Sequence, residues 1–367
     1  MTSKILFILP FFFLAFDLWA EVIPDFSQKG SLKVEVLEFR DLWDSSRAEV
    51  TKRKRFRIFR RGQSQSEGGK GRNIPIKVHL PSSGGPYPVV LISHGAGGNW
   101  DTHYAQANHL ASHGYVVMCL EHVGSNTERI KSGIRLFQNL KEMIHDSTEV
   151  LGRPRDMSFA LDQATDWNRN HPNLKSRLDV SKVGAMGHSF GAFTVMALSG
   201  MKPALDWLQP SIPPGKGLGP DVFDNRLTCG VVLSPQGPGD PFFRIESYSS
   251  LRVPLMGISG TKDKQQNGEP PSHRYESFKL WPEMQGRNHF LWLTNASHRD
   301  FTDSTGGAES GMESSNRADV QRVVRAATLL FFNECLKLEK NNKKSLTTEG
   351  LKPYLTGTIT GAEVRIK

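Results

Sequence analysis

Six short runs of the chain are apolar at nearly every position: Tyr87–Ser93, Tyr115–Leu120, Lys182–Met186, Cys229–Leu233, Val253–Ile258 and His289–Leu293. A strand with one wet face alternates polar and apolar side chains, so runs without alternation predict strands buried on both faces. Between them the period changes. Tyr104–Ser112 has helical spacing and meets Gly114 at its end. Arg155–Asn168 carries a stripe of Met157, Phe159, Ala160, Leu161, Ala164 and Trp167, and Arg317–Leu336 closes the series as an amphipathic helix. Strands that alternate with helices predict an α/β architecture with a mostly parallel central sheet and helices on both faces. Residues 75–336 are expected to form one α/β domain, preceded by an N-terminal segment over 21–74 and followed by a peripheral extension over 337–367. No internal repeat is visible.

Ligands of open parallel sheets bind beyond the carboxyl ends of the strands. The third run leads into Gly187-His188-Ser189-Phe190-Gly191 and an apolar helical stretch to Leu198. This is G-x-S-x-G between a strand and a helix, the setting in which a sharp turn lifts a serine hydroxyl above the sheet. Ser189 is the candidate nucleophile. The first run leads into the loop His94-Gly95-Ala96-Gly97-Gly98-Asn99-Trp100. Its glycine spacing matches neither the Walker pattern nor a dinucleotide fingerprint. It suits an oxyanion hole made by the N–H groups of Ala96 and Phe190, with His94, Trp100 and Phe190 as pocket walls. The last run leads to His298, which has the chain position of a general base. His188 adjoins Ser189 and is expected to point elsewhere, and His289 lies at the far end of its strand. Two acids compete to orient His298: Asp263 after the fifth run and Asp240 after the fourth. The chain order Ser189, Asp263, His298 favours Asp263.

These segments carry a family resemblance. Pro88-Val-Val-Leu-Ile-Ser-His-Gly95, Leu110-Ala-Ser-His-Gly-Tyr-Val116, Glu121-His122, Arg153-Pro-Arg-Asp156 and the Gly187–Gly191 elbow resemble the platelet-activating-factor acetylhydrolase and bacterial polyester-hydrolase branch of the α/β-hydrolases, which borders the dienelactone-hydrolase group. The resemblance spans residues 78–336. It implies an α/β-hydrolase fold and a serine carboxylic-ester hydrolase that acts through an acyl-enzyme and needs no metal or cofactor. Dienelactone hydrolases use a cysteine where Ser189 stands. The animal acetylhydrolases place their acid at the end of the fourth strand, where this chain has Ser234, so the departure favours Asp263 and a polyester-hydrolase-like placement. An acyltransferase or peptidase on the same fold, or a binding protein, remains open because fold and triad do not set the acceptor.

Charge changes the picture in one place. Lys plus Arg is 46 and Asp plus Glu is 37, a net +9. Ten basic residues and a single acid, Glu67, lie between Lys52 and Lys77, which accounts for the whole excess. The other residues are formally neutral, so nucleic acid is not the expected partner. Within this segment Lys52, Arg53, Lys54, Arg55, Arg57, Arg60 and Arg61 interleave with Phe56, Ile58 and Phe59. They read either as a solvated insertion or as an accessory contact to an anionic membrane or polymer. Residues 1–20 pair Lys4 with an apolar run and a small residue, Ala20, and read as an export signal, with an uncleaved membrane anchor as the alternative. Cys119, Cys229 and Cys335 are expected to form no functional disulfide. Residues 124–152 are either a lid or a surface excursion. The sequon at Asn295 is read as incidental.

Overall fold

The computed structural model describes residues 25–47, 70–131, 136–265, 268–303, 316–337 and 346–367. The apolar N-terminal run and the Lys52–Arg61 cluster lie outside them. Among the described residues no helix is long and apolar enough to cross a membrane.

The strands are β1 (Val34–Phe39), the short β2 (Trp43–Asp44) and β3 (Arg72–Asn73), β4 (Ile76–Pro81), β5 (Tyr87–Ser93), β6 (Val116–Leu120), β7 (Leu178–His188), β8 (Leu227–Leu233), β9 (Leu255–Lys262), β10 (His289–Ser297) and β11 (Ala362–Ile366). Nine of them form one sheet in the order β1-β4-β6-β5-β7-β8-β9-β10-β11. The six from β6 to β10 run parallel, while β1, β4 and β11 join antiparallel at the two edges. The helices are α1 (Tyr104–Ser112), α2 (Thr127–Lys131), α3 (Leu136–His145), α4 (Ser147–Asn170), α5 (Phe190–Leu198), α6 (Ser272–Leu280), α7 (Arg317–Phe332) and α8 (Thr348–Leu351).

The unbroken apolar runs follow from two cores, one on each face of the sheet. Along β5, Val89 and Leu91 enter the core shared with α4 and α5, while Val90 and Ile92 enter the core shared with α1 and α7. On β6, Val116, Met118 and Leu120 face the first core and Val117 and Cys119 the second. Each residue of such a strand is apolar because each side of the pleat meets a helix layer.

The sheet extends past residues 75–336 at both ends. β1 comes from the N-terminal segment and β11 from the C-terminal extension, so both segments are built into the sheet rather than laid on it. Edge strands bury one face only, and the alternating Val34–Phe39 and half-exposed Ala362–Ile366 carry a weaker apolar signal. Helix α4 starts at Ser147, capped by the Asp146 side chain on Thr148 N–H (2.9 Å), and runs through Pro154. The proline deletes one ladder bond, to Val150 O, and does not end the helix. Two members of the basic segment turn inward. Arg72 is buried against Glu149 and Asp156, and Lys77 pairs with Asp101 and Glu38.

Candidate active site

Strand β7 delivers Ser189 at its carboxyl end. Ser189 has φ 55° and ψ −115° and caps α5, a backbone conformation costly to an L-residue and held by its surroundings. Its glycine neighbours are forced by close approach. A Cβ at Gly187 would overlap Gly191 O, and a Cβ at Gly191 would overlap Ser93 O. Ser189 N–H donates to Leu233 O (3.0 Å), and Gln236 Nε2 donates to Ser189 O (2.9 Å), so β8 clamps the turn.

His298 follows β10 directly. Its Nδ1 lies 2.9 Å from Asp263 Oδ1. The Asp263 side chain is fully buried and that of His298 is 22% exposed. Asp263 Oδ2 also accepts from Ser259 Oγ at 2.8 Å. Burial alone would raise the Asp263 pKa, but the adjacent Arg274 guanidinium and the His298 hydrogen bond outweigh it and hold the carboxyl well below the usual range. Asp240 lines the same cavity but engages a different imidazole: Oδ1 meets His145 Nε2 at 2.7 Å, and its side chain is 49% exposed.

Ser189 and His298 line one cavity of about 400 Å³ with Phe137, Leu140, Ile144, Phe190 and Phe242. The Ser189 hydroxyl has no hydrogen-bond partner among the described residues. Phe190 opens α5, so its N–H has no acceptor within the helix. The loop after β5 runs beside the elbow, and a Cβ built on Gly95 would stand 3.5 Å from Ser189 Cβ. Residues 124–152 include α2, α3 and the start of α4, and α3 forms one wall of the cavity.

Two expected pocket residues are corrected. His94 is buried under its loop, with Nδ1 2.6 Å from Gly95 O and Nε2 accepting from His122 N–H at 3.0 Å. Burial first, and then Arg153, hold its pKa well below 6.5, so it is a neutral support and not a wall. Trp100 is only 7% exposed and sits between the cations Arg40 (4.7 Å) and Lys77 (4.8 Å), away from the cavity. Both side chains turn down into the protein because the loop exposes backbone to the site. His188 also departs from expectation. Its ring packs on that of His298 with centroids 4.6 Å apart, and burial keeps it neutral.

Several supporting residues escape a sequence reading. Beneath the loop after β5, His122 bridges Asp156 (Nδ1 to Oδ2, 2.7 Å) and Ser93 Oγ (2.9 Å to Nε2), all fully buried. Arg153 Nη2 donates to Ser93 Oγ (3.1 Å) and to His94 O, and Ser125 O accepts from Gly97 N–H at 2.8 Å. This network fixes the loop beside Ser189. The only advance signal was the Glu121-His122 and Arg153–Asp156 motifs.

Residues 88–205 match the family model described as alpha/beta hydrolase fold. The chain is similar to curated proteins named platelet-activating factor acetylhydrolase. It is 24% identical over 303 residues to that of Cavia porcellus, covering 73% of this chain and 62% of the relative. Identity to that of Canis lupus familiaris is 30% over 263 residues, covering 64% and 51%. For Bos taurus it is 28% over 260 residues, covering 62% and 50%. The chain thus spans between half and about three fifths of the length of these curated relatives.

Proposed function

On the premise that the chain belongs to the α/β-hydrolase superfamily, in its platelet-activating-factor-acetylhydrolase-like branch, we propose that it is a serine carboxylic-ester hydrolase with Ser189, His298 and Asp263 as its triad. One observation carries this reading: a serine on a strained strand-to-helix turn shares a cavity with a histidine whose Nδ1 is held by a buried carboxylate.

The chemistry follows from that arrangement. Asp263 accepts a hydrogen bond from His298 Nδ1–H and so leaves the Nε2 lone pair free as a base. His298 takes the proton of Ser189 as its Oγ attacks the ester carbonyl. The N–H groups of Ala96 and Phe190 receive the developing oxyanion. His298 then protonates the leaving alcohol, and water activated by the same imidazole releases the acid from the acyl-serine. No step requires a metal or cofactor. The apolar wall of Phe137, Leu140, Ile144 and Phe242 suits an acyl chain or ring, which fits small-acyl, lipid or polyester-type esters. The apolar start of the sequence supports export, with the periplasm or the extracellular space as the place of action.

Hydrolysis of p-nitrophenyl acetate and butyrate by the full chain tests the reading, with Ser189→Ala beside it. The expected result is turnover by the native chain and a residual rate at least about 10³ lower in the variant. Equal turnover by Ser189→Ala would refute it. A series from acetyl to long-chain esters, with a phospholipid and a polyester film, then ranks the substrate classes.

A further inference from the structure

Arg274 stands on α6, and nothing in acyl transfer requires it. Its side chain is nevertheless 3% exposed and lies against Asp263, which is fully buried. Nε is 2.9 Å from Asp263 Oδ1 and donates to Asp263 O at 3.0 Å. Nη1 donates to Ser234 O (2.9 Å) and Pro235 O (3.2 Å), and Nη2 to Lys264 O (3.3 Å). The same Nη2 is 3.1 Å from His298 Nδ1. One planar cation therefore joins the turn after β8, the turn after β9 and the imidazole after β10. Lysine, a point charge on a flexible stem, could not hold this set of acceptors together.

The position has an electrostatic consequence. A buried carboxylate beside a neutral imidazole carries one net negative charge, which protonation of the imidazole cancels. With Arg274 in place the resting group is already neutral, and protonating His298 leaves a net positive charge in a poorly solvated site. Arg274 therefore opposes premature protonation of the base. The other groups facing His298 do not cancel this effect. His188, with His103 behind it, is buried and neutral, so neither ring adds a charge beside His298. On the base's own segment, Asp300 is engaged by Ser297 N–H (2.7 Å) and Oγ (2.8 Å), and Arg299 follows in sequence. Across the cavity, Asp240 is paired with His145, and Lys141 stands near the rim.

We propose that Arg274 is a positioning residue of the hydrolytic site: its fork holds the Asp263 carboxylate and the Ser234–Pro235 turn in register, and its fixed charge sets the acidic limb of the activity profile. The proposal rests on the triad reading above. It extends that reading to a residue that lines the same cavity and acts through Asp263 and His298.

The test compares kcat and kcat/KM against pH for the native full chain, Arg274→Gln, Arg274→Lys and Ser189→Ala on p-nitrophenyl butyrate, with the melting temperature of each. Arg274→Gln is expected to move the acidic limb up by about one pH unit or more, because the opposing charge is gone. Arg274→Lys keeps the charge and loses the fork, so its limb stays near the native position while kcat falls about tenfold, as for a misplaced catalytic group. A purely structural role would lower folded protein or melting temperature and leave the limb unmoved. Coincident limbs for native and Arg274→Gln proteins overturn the proposal. If Arg274→Gln does not fold, Arg274→Lys decides, and native kcat in that variant overturns it. Full turnover by Ser189→Ala would mean that the triad reading itself has failed. A dead Ser189→Ala with a native-like Arg274→Gln profile would remove only the role of Arg274.

Discussion

Asp263→Asn separates the two candidate acids and probes the site most directly. The asparagine keeps the volume of the aspartate and replaces one acceptor oxygen by an NH₂ donor. Its surroundings are donors: Ser259 Oγ faces Oδ2, and the Arg274 guanidinium faces Oδ1. With the amide oxygen kept on Ser259 Oγ, the NH₂ takes the Oδ1 place, which faces both Arg274 Nε and His298 Nδ1 at 2.9 Å. Arg274 Nη2, already 3.1 Å from Nδ1, then presents a second donor to the same nitrogen. Both push His298 toward the tautomer with its proton on Nε2, which cannot accept the Ser189 proton. A wrong tautomer at a serine triad costs about 10⁴ in kcat, and that is the expected loss. Stability falls as well, because Arg274 loses its counter-ion. Breaking a buried ion pair from one side costs about 3–5 kcal/mol. Arg274 retains carbonyl acceptors at Asp263, Lys264, Ser234 and Pro235, so the low end, about 3 kcal/mol, is expected. Turnover of p-nitrophenyl butyrate well below the melting temperature measures the first effect and urea denaturation the second. Asp240→Asn is the companion, and its half-exposed pair with His145 should change kcat by less than about fivefold. A mild Asp263→Asn beside a crippled Asp240→Asn would reverse the assignment.

Three further outcomes are expected. Gly191→Ala drives a methyl group into Ser93 O beneath the elbow and should cost on the order of 3 kcal/mol with loss of activity, checked by thermal melting and ester turnover; a stable, active variant would show that the turn does not need its close approach. His79, His103 and His122 are buried neutral, chiefly by desolvation, with pKa values lowered to about 4. A lowered histidine pKa gives stability that is present above the unfolded value of 6.5 and lost as pH falls toward 4, up to about 3 kcal/mol each. Urea denaturation at pH 7, 5.5 and 4.5 should show that decline, with a slope reduced by about one proton in His103→Gln; a flat profile would contradict it. Deleting Lys52–Arg61 should weaken low-salt binding to anionic vesicles while soluble-ester turnover persists, and unchanged binding would dismiss an accessory surface role for the segment.

What the sequence discloses depends on how local the physics is. The inner strands are legible because burial on both faces writes itself into consecutive residues, as in Val89, Val90, Leu91 and Ile92. The elbow is legible because its steric demands fall within five residues, from Gly187 to Gly191. Strand β11 is not, because an exposed edge needs few apolar residues and its register is set by the distant β10. The loop from His94 to Trp100 misleads for another reason. Its residue types suggest side chains that line a pocket, but its backbone is what approaches Ser189, and the large side chains point the other way into the protein. Asp263 and Asp240 follow neighbouring strands in similar loops. Only the tertiary arrangement sends the first to His298 and the second to His145.

Charge makes the same point about direction. The segment from Lys52 to Lys77 reads as one basic surface, yet Arg72 crosses to Glu149 and Asp156 inside the protein. Net charge counts residues and is blind to which way they face. Three buried guanidiniums brace the loops around the candidate site: Arg72 anchors the Asp156 carboxylate that holds His122, Arg153 anchors the loop after β5, and Arg274 anchors the turns after β8 and β9. Arg72 forks onto two carboxylates, Arg153 reaches the Ser93 and Ser125 hydroxyls and the His94 carbonyl, and Arg274 reaches a carboxylate and several carbonyls. Buried ion pairs contribute little net stability but fix geometry. Here that geometry is the placement of the Ala96 loop, the Asp263 carboxylate and the His298 ring about Ser189, which is the arrangement that ester hydrolysis would demand.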